Sequence, residues 1–262
     1  MASALITSVP FGDRNPSPLK RLEQAGIDYR INPYSRRLTE LELTNLIQGH
    51  DIVIAGTEPI TEKVIGKAPS LKLISRVGIG LDSVDLLAAS QRGIKVTYTP
   101  DAPAAAVSEL TIALILSLLR SVNSSNLEMH QGVWHRHFGR RMSEVTYGII
   151  GIGRIGSRVI EHLRSFGDPP IMANDIDATD KTNRWKNVAW VSKEDIYKEA
   201  DVLSLHLPLT QATNNLIGRE QLLMMKRDAL IVNTSRGGIV KESDLYEVLQ
   251  TGHLGGAAID VF

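Results

Sequence analysis

The sequence predicts an α/β protein built from two doubly wound parallel-sheet domains, and two observations carry that prediction. Short β-branched runs alternate with helical patterns along most of the 262 residues, as expected of strands joined by crossover helices. In the middle of the chain an apolar run, Tyr147 to Ile150, leads straight into Gly151, Gly153 and Gly156. That G-x-G-x-x-G spacing joins a buried strand to a helix.

Taken in order, Ala4 to Val9, Asp28 to Ile31, Asp51 to Ala55, Lys72 to Ser75 and Lys95 to Tyr98 read as five strands. Between them, Ser17 to Gln24 is a helix that stops at Gly26, and Thr39 with Glu42 makes a capping box for a helix that stops at Gly49. Thr61 can cap a third. Strands and helices at this pitch imply a parallel sheet covered on both faces. A first domain is therefore expected over residues 1–99 and a second, containing the glycine motif, over 100–262.

The segment Ala104 to Arg120 is apolar on almost every side. It is too short for a membrane span and is interrupted by Ser108, Glu109, Thr111 and Ser117, so burial between domains or subunits is expected. An apolar helix of this kind predicts a homodimer built around it. A helical continuation, Ser121 to Gln131, leads to Gly132 and Trp134. His135 and His137 follow, but no third ligand stands in helical register and no carboxylate at useful spacing, so no metal site is expected.

Each glycine of the central motif has its own task. Gly151 permits the tight turn, Gly153 lets backbone approach a pyrophosphate, and Gly156 lets the next helix lie close on the strand. The helix N-terminus offers free N–H groups and a partial positive charge to phosphates. The helix pattern Ser157 to Ser165 ends at Gly167, a strand follows at Ile171 to Ala173, and Asp175 stands 19 residues after Gly156. An acid there accepts both hydroxyls of an adenosine ribose, and no arginine follows in Asn174 to Thr179 to receive a 2′-phosphate, so NAD is the expected cofactor.

Beyond Asp175 the alternation resumes. Ser192 with Asp195 caps a helix reaching Ala200; Val202 to Leu205 is a strand closed by His206 and Pro208; Ala229 to Val232 is another, followed by Asn233, Thr234, Ser235 and Arg236. Lys241 to Leu249 is helical, and Gly256 to Phe262 begins a further strand. His206, Asn233, Arg236 and Asp260 fall at or near the carboxyl ends of strands, where such sheets carry their sites.

Composition narrows the partners. Lys plus Arg and Asp plus Glu each total 29, so no charge excess points to nucleic acid or a membrane surface. Zero cysteines exclude disulfides and thiolate chemistry. The N-terminal MASALITSVPFGDRNP lacks the basic region and long apolar core of a signal peptide, and a cytoplasmic location is expected.

The chain resembles the D-isomer-specific 2-hydroxyacid dehydrogenases, and within them the phosphoglycerate dehydrogenase-like branch. The motifs that carry the resemblance are AGTEPITEKVIG from Ala55, SRVGIGLDSVD from Ser75, VSELTIALILSLLR from Val107, GIIGIGRIG from Gly148, LHLPLT from Leu205, NTSRGGIV from Asn233 and GAAIDVF from Gly256. They run in order over nearly the whole chain. The resemblance implies a flavodoxin-like substrate domain, a Rossmann NAD-binding domain and an active site in the cleft between them.

It also implies roles for particular residues. Arg236 would clamp the substrate carboxylate and polarise the 2-keto oxygen with its planar fork, and Val77 and Gly78 would offer backbone N–H groups to the same carboxylate. Arg154 and Ile155 would sit over the pyrophosphate between Gly153 and Gly156. His206, Pro208, Asn233 and Thr234 would line the cofactor, and Asp260 would accept a hydrogen bond from the nicotinamide carboxamide. Ser108 stands where the family commonly has alanine, Asp101 where it has asparagine, and Arg140 to Val145 lacks the usual glycine-lysine pair.

Reduction of a 2-keto acid needs hydride and a proton, and an arginine does not supply the proton. The family's catalytic glutamate and histidine lie beyond the DVF motif at which this sequence stops. If Phe262 is the true terminus, the expectation is a chain that holds NAD but does not turn over, lacking the return segment of its first domain and the end of its second; the alternative is a piece of a longer chain whose glutamate and histidine follow soon after Phe262. The expected activity of the intact enzyme is NAD-dependent interconversion of a D-2-hydroxy acid, with a phosphoglycerate-like acid as candidate, and its 2-keto acid. The alternative is an inactive NAD-sensing protein on the same fold. Phosphoglycerate would need additional cations; Glu58 stands near the expected distal end, and Arg76, Arg140 and Arg141 read as solvated charges.

Overall fold

The structure is a computed structural model that describes residues 1–177, 185 and 187–262. The expectation for Asn174 to Thr179 falls partly outside these residues, at Ala178 and Thr179. The chain divides into two units, Met1–Pro103 and Ala104–Phe262.

The first unit alternates β1 (Ala2–Ile6), α1 (Ser17–Gln24), β2 (Ile27–Ile31), α2 (Glu40–Leu46), β3 (Ile52–Ala55), α3 (Glu62–Gly66), β4 (Leu73–Arg76), α4 (Leu86–Gln91) and β5 (Lys95–Tyr98). All strand pairs are parallel, in the order β2-β1-β3-β4-β5, which is the flavodoxin-like winding. The expected strand Ala4 to Val9 lies nearer the N-terminus because the register pairs Ala2 with Ile27 and Ala4 with Ile52. Thr39 and Glu42 form the reciprocal capping box, and Thr61 caps α3 by accepting from the Val64 N–H. Helix α4 was not expected; it is short, and Asp85 caps it by accepting from the Ala88 N–H at 2.9 Å. Leu5, Val53, Ile74, Leu43 and Ile65 are fully buried between sheet and helices.

The second unit opens with α5 (Ala104–Leu119) and α6 (Val122–His130), then runs β6 (Tyr147–Ile150), α7 (Arg154–Arg164), β7 (Ile171–Asn174), β8 (Val188–Trp190), α8 (Lys193–Glu199), β9 (Val202–Leu205), α9 (Arg219–Met224), β10 (Leu230–Asn233), α10 (Glu242–Gln250) and β11 (Gly256–Ile259). Its sheet is again parallel, ordered β11-β10-β9-β6-β7-β8. That order reverses between β6 and β9, as in a Rossmann fold, and the reversal opens a crevice at the carboxyl ends of those two strands. Strands β6, β9 and β10 are buried at every position and mostly apolar, with Ser204 and Asn233 the polar exceptions.

Helix α5 buries one stripe, Ala104, Ser108, Thr111, Ile112, Ile115 and Leu119. Ile112, Ile115 and Leu119 join Tyr147, Ile149, Val159 and Ile160 in the core. The burial expected for this helix is thus partly met inside its own unit. Helix α7 starts at Arg154, three residues before the expected Ser157, because Gly153 is its N-cap. Among the described residues no single helix is long and apolar enough to cross a membrane.

Candidate functional site

The crevice at the strand-order reversal is built from backbone pressed against backbone. Gly151 has φ +93°, and a Cβ there would lie 2.3 Å from the His206 carbonyl oxygen; a Cβ on Gly156 would lie 2.0 Å from the Gly151 carbonyl oxygen. No side chain fits at either point. Gly153 differs: nothing stands within 4 Å of its Cβ position, and α7 begins there with no side-chain cap. Its neighbours Arg154 and Ile155 form the first turn of α7. An eleven-residue helix thus presents uncapped N–H groups behind an open glycine, which fits the approach of a pyrophosphate.

Asp175 follows β7 directly. Its carboxylate accepts from the Ile152 N–H at 2.6 Å and from the Asp177 N–H at 2.9 Å, which fixes it against the glycine turn. The sequence motif and the acid 19 residues further on are one structural unit.

Across the crevice, His206 continues β9 and donates its backbone N–H to the Ile150 carbonyl at 2.8 Å. Its Nε2 lies 2.9 Å from Ser204 Oγ, and its buried Nδ1 has no hydrogen-bond partner among the described residues. Burial pushes the imidazole pKa down to about 4. The ring is therefore neutral at pH 7 and holds no proton to give as an imidazolium. Pro208, two residues on, is exposed at the same strand end.

After β10 the chain turns on itself. Asn233 Oδ1 accepts from the Ser235 N–H at 3.1 Å and the Ser235 hydroxyl at 2.6 Å, while Asn233 Nδ2 donates to the Arg236 carbonyl at 2.9 Å. Arg236 is half-buried, with Nη1 donating to the Ser235 carbonyl at 2.6 Å. Asp260 is exposed beyond β11, and its N–H donates to the Asn233 carbonyl at 3.0 Å, so the ends of β10 and β11 are stitched together. Thr234 is buried and shares a 2.9 Å hydrogen bond with Thr111 of α5. Sequence reading missed Thr111 as a partner of this turn; its local signal is a hydroxyl, beside that of Ser108, on a largely apolar helical stripe.

In the first unit, Val77 and Gly78 follow β4. The Val77 N–H donates to the Ala55 carbonyl at 2.9 Å as a continuation of the sheet ladder, and the Gly78 N–H donates to Thr99 Oγ1 at 2.7 Å. Of the two expected carboxylate donors, only Gly78 is held by a group that rotates easily. Arg76 corrects the sequence reading: it is buried at 8% exposure rather than solvated. It lines a cavity of ≈ 170 Å³ with Thr7, Arg37, Glu58 and Val77. Glu58, 1% exposed, accepts from the Gly56 N–H at 2.9 Å and from the Thr7 hydroxyl. Arg140 is tied to the Asp228 carbonyl at 3.1 Å and Arg141 to Glu144 at 2.8 Å, both within the second unit.

A second correction concerns His135 and His137. A carboxylate does stand beside them: Glu128 on the last turn of α6 lies 2.9 Å from His137 Nε2 and 3.6 Å from His135 Nδ1. The chain reverses at Gly132, with φ +75°, so the partner lies back along the helix and not in helical register.

Residues 112–262 match the family described as D-isomer specific 2-hydroxyacid dehydrogenase, NAD binding domain. The chain is 39% identical over 230 residues to a D-3-phosphoglycerate dehydrogenase of Methanocaldococcus jannaschii, covering 86% of this chain and 44% of that protein. It is 37% identical over 231 residues to a hydroxypyruvate reductase of Thermotoga maritima, covering 87% of this chain and 74% of the relative. The structure of a D-lactate dehydrogenase from Aquifex aeolicus complexed with NAD and lactic acid superposes with a TM-score of 0.85 at 27% identity, over 99% of this chain and 77% of that one. The chain thus spans less than half of the first relative's length. It belongs to the D-isomer-specific 2-hydroxyacid dehydrogenase family, and its second unit carries that family's NAD-binding domain. The relatives bear the names of enzymes, and nothing in the comparisons supports the inactive NAD-sensing alternative.

Two expectations follow from this geometry. Gly153→Ala should leave the melting temperature unchanged but weaken NADH binding about tenfold or more, whereas Gly156→Ala, which forces backbone apart, should cost about 1–3 kcal/mol of stability as well. Thermal melts beside NADH fluorescence titrations read both, and unaltered NADH affinity in Gly153→Ala removes the phosphate role. The second expectation concerns His206. Between pH 6.5 and 4 the unfolded imidazole binds a proton that the folded one refuses, so stability is lost as pH falls through that window. The loss is about 3–4 kcal/mol at most. Urea melts of the wild type and of His206→Gln across that range should differ in slope; identical slopes contradict a neutral buried ring.

Proposed function

We propose that this member of the D-isomer-specific 2-hydroxyacid dehydrogenases interconverts a small D-2-hydroxy acid and its 2-keto acid with NAD. The single observation that carries the reading is the pairing of an open glycine turn and Asp175 on one side of the strand-order reversal with the Arg236 turn on the other strands of the same sheet. Bound NAD supplies the hydride acceptor, or in reduction the donor.

The residues of this chain position and polarise. Gly153, Arg154 and Ile155 receive the pyrophosphate at the start of α7, and Asp175 accepts the adenosine ribose hydroxyls. His206, Pro208, Asn233 and Thr234 border the remainder of the cofactor, with Asp260 accepting from the carboxamide. Arg236 grips the substrate carboxylate in a bidentate fork and draws electron density toward the 2-oxygen, which favours hydride arrival at C2. Gly78, and Val77 if it leaves the ladder, contribute backbone donors to a carboxylate. His206 is not assigned as the donor of the proton on the 2-oxygen, because desolvation pushes its imidazole pKa down to about 4.

A phosphoglycerate-like acid is the candidate substrate. The guanidiniums of Arg37 and Arg76 beside one cavity suit a second anionic group, although Glu58 in the same lining opposes it. The chain also works as a homodimer through the helix Ala104 to Arg120 and its continuation. Exposed apolar side chains concentrate on and just after α6, at Val122, Leu127, Met129, Val133, Trp134 and Phe138, and patches of this kind mark partner surfaces.

Oxidation of NADH by the complete protein with glyoxylate, hydroxypyruvate and phosphohydroxypyruvate tests the activity. Arg236→Lys keeps the charge and loses the fork; kcat/KM should fall by about 1.5–3 kcal/mol in transition-state stabilisation with NADH affinity retained. Unchanged kcat/KM excludes the clamp. For the assembly, light scattering at micromolar concentration should give a dimer mass, and a monomer there refutes the interface.

A further inference from the structure

The chain reversal at Gly132 folds the segment after α6 back along the helix, with the Val133 N–H donating to the Glu128 carbonyl at 2.9 Å. This places three unlike donors together: a Glu128 carboxylate oxygen, His135 Nδ1 and His137 Nε2, all within 4.8 Å of one another. In a tetrahedral shell at zinc-like bond lengths, neighbouring ligand atoms stand about 3.4 Å apart. Each imidazole faces its own carboxylate oxygen, His137 Nε2 at 2.9 Å from Oε2 and His135 Nδ1 at 3.6 Å from Oε1, so both rings stand within reach of the one carboxylate. The rings are tilted at 37° with centroids 4.3 Å apart.

We propose that Glu128, His135 and His137 form a binding site for a single borderline transition cation, of the Zn²⁺ or Ni²⁺ class, outside the nucleotide-binding turn. Two imidazoles with one carboxylate suit such ions and not Mg²⁺ or Ca²⁺, which take oxygen shells. Uptake of the ion would displace the proton that His137 shares with Glu128, so binding releases protons. Arg136, between the two histidines in sequence, is exposed, so water screens its charge. Three protein ligands leave one tetrahedral position for water. The ion would cross-link the end of α6 to a segment without regular secondary structure.

The test uses the protein in its solution assembly, stripped with chelator and then titrated calorimetrically with Zn²⁺, with Co²⁺ absorption as a report on the shell. One ion per chain is expected, with affinity about tenfold or more weaker in Glu128→Gln and in the paired His135→Gln, His137→Gln variant. His50→Gln, in the first unit, should leave it unchanged. Hydrogen exchange at residues 133–138 should slow on adding Zn²⁺ to the unaltered protein. Absence of uptake, or affinity that the cluster variants leave intact, overturns the site. Should the variants misfold, exchange in the unaltered protein decides: slowing confined to 128–138 supports the site, and no local change overturns it.

Discussion

The contact on which the NAD-binding unit depends is backbone against backbone at the strand-order reversal. Gly151 packs on the His206 carbonyl and Gly156 packs on the Gly151 carbonyl, so β6, α7 and the end of β9 approach more closely than any side chain permits. Closeness has two consequences. The helix axis is set so that its first N–H groups face the crevice, and the turn itself donates the Ile152 N–H to Asp175. The acid is therefore positioned by the glycine turn, not merely placed after it in sequence.

A second layer of constraint comes from buried polar groups. The Arg236 turn is not held by apolar packing but by Asn233, whose side chain accepts from Ser235 and donates to the Arg236 carbonyl. Thr234 is anchored to Thr111 on α5, a helix whose buried stripe is otherwise mainly Ala, Ile and Leu. Each buried hydroxyl or amide left unpaired would cost about 1–3 kcal/mol, so these networks favour one conformation of the turn over its alternatives. Orienting an arginine fork requires that kind of restriction, because a guanidinium on a loose loop samples many angles.

How much of this was legible in the sequence depended on how local the signal is. The capping boxes at Thr39 and Ser192, the helix Ser17–Gln24 and the strands at Lys95–Tyr98 and Val202–Leu205 rest on neighbouring residues and stand where they were expected. Short helices such as α4 carry too few residues for periodicity to show. Arg76 read as a surface charge because no pattern of nearby residues reveals that β4 ends inside a cavity shared with Glu58 and Arg37. Thr111 with Thr234, 123 positions apart, is a product of topology alone.

The histidines show the same division in their chemistry. His206 has lost water without gaining a charged partner, so desolvation dominates and the ring stays neutral. His137 is partly exposed and sits against the Glu128 carboxylate, where the pairing stabilises the anion instead. Residue type is identical in the two places. What differs is whether folding delivered a carboxylate along with the imidazole: the chain reversal at Gly132 did so in one case, and desolvation just beyond β9 did not in the other. A His-x-His spacing read along a helix or strand therefore underestimates what a left-handed glycine just before it can assemble.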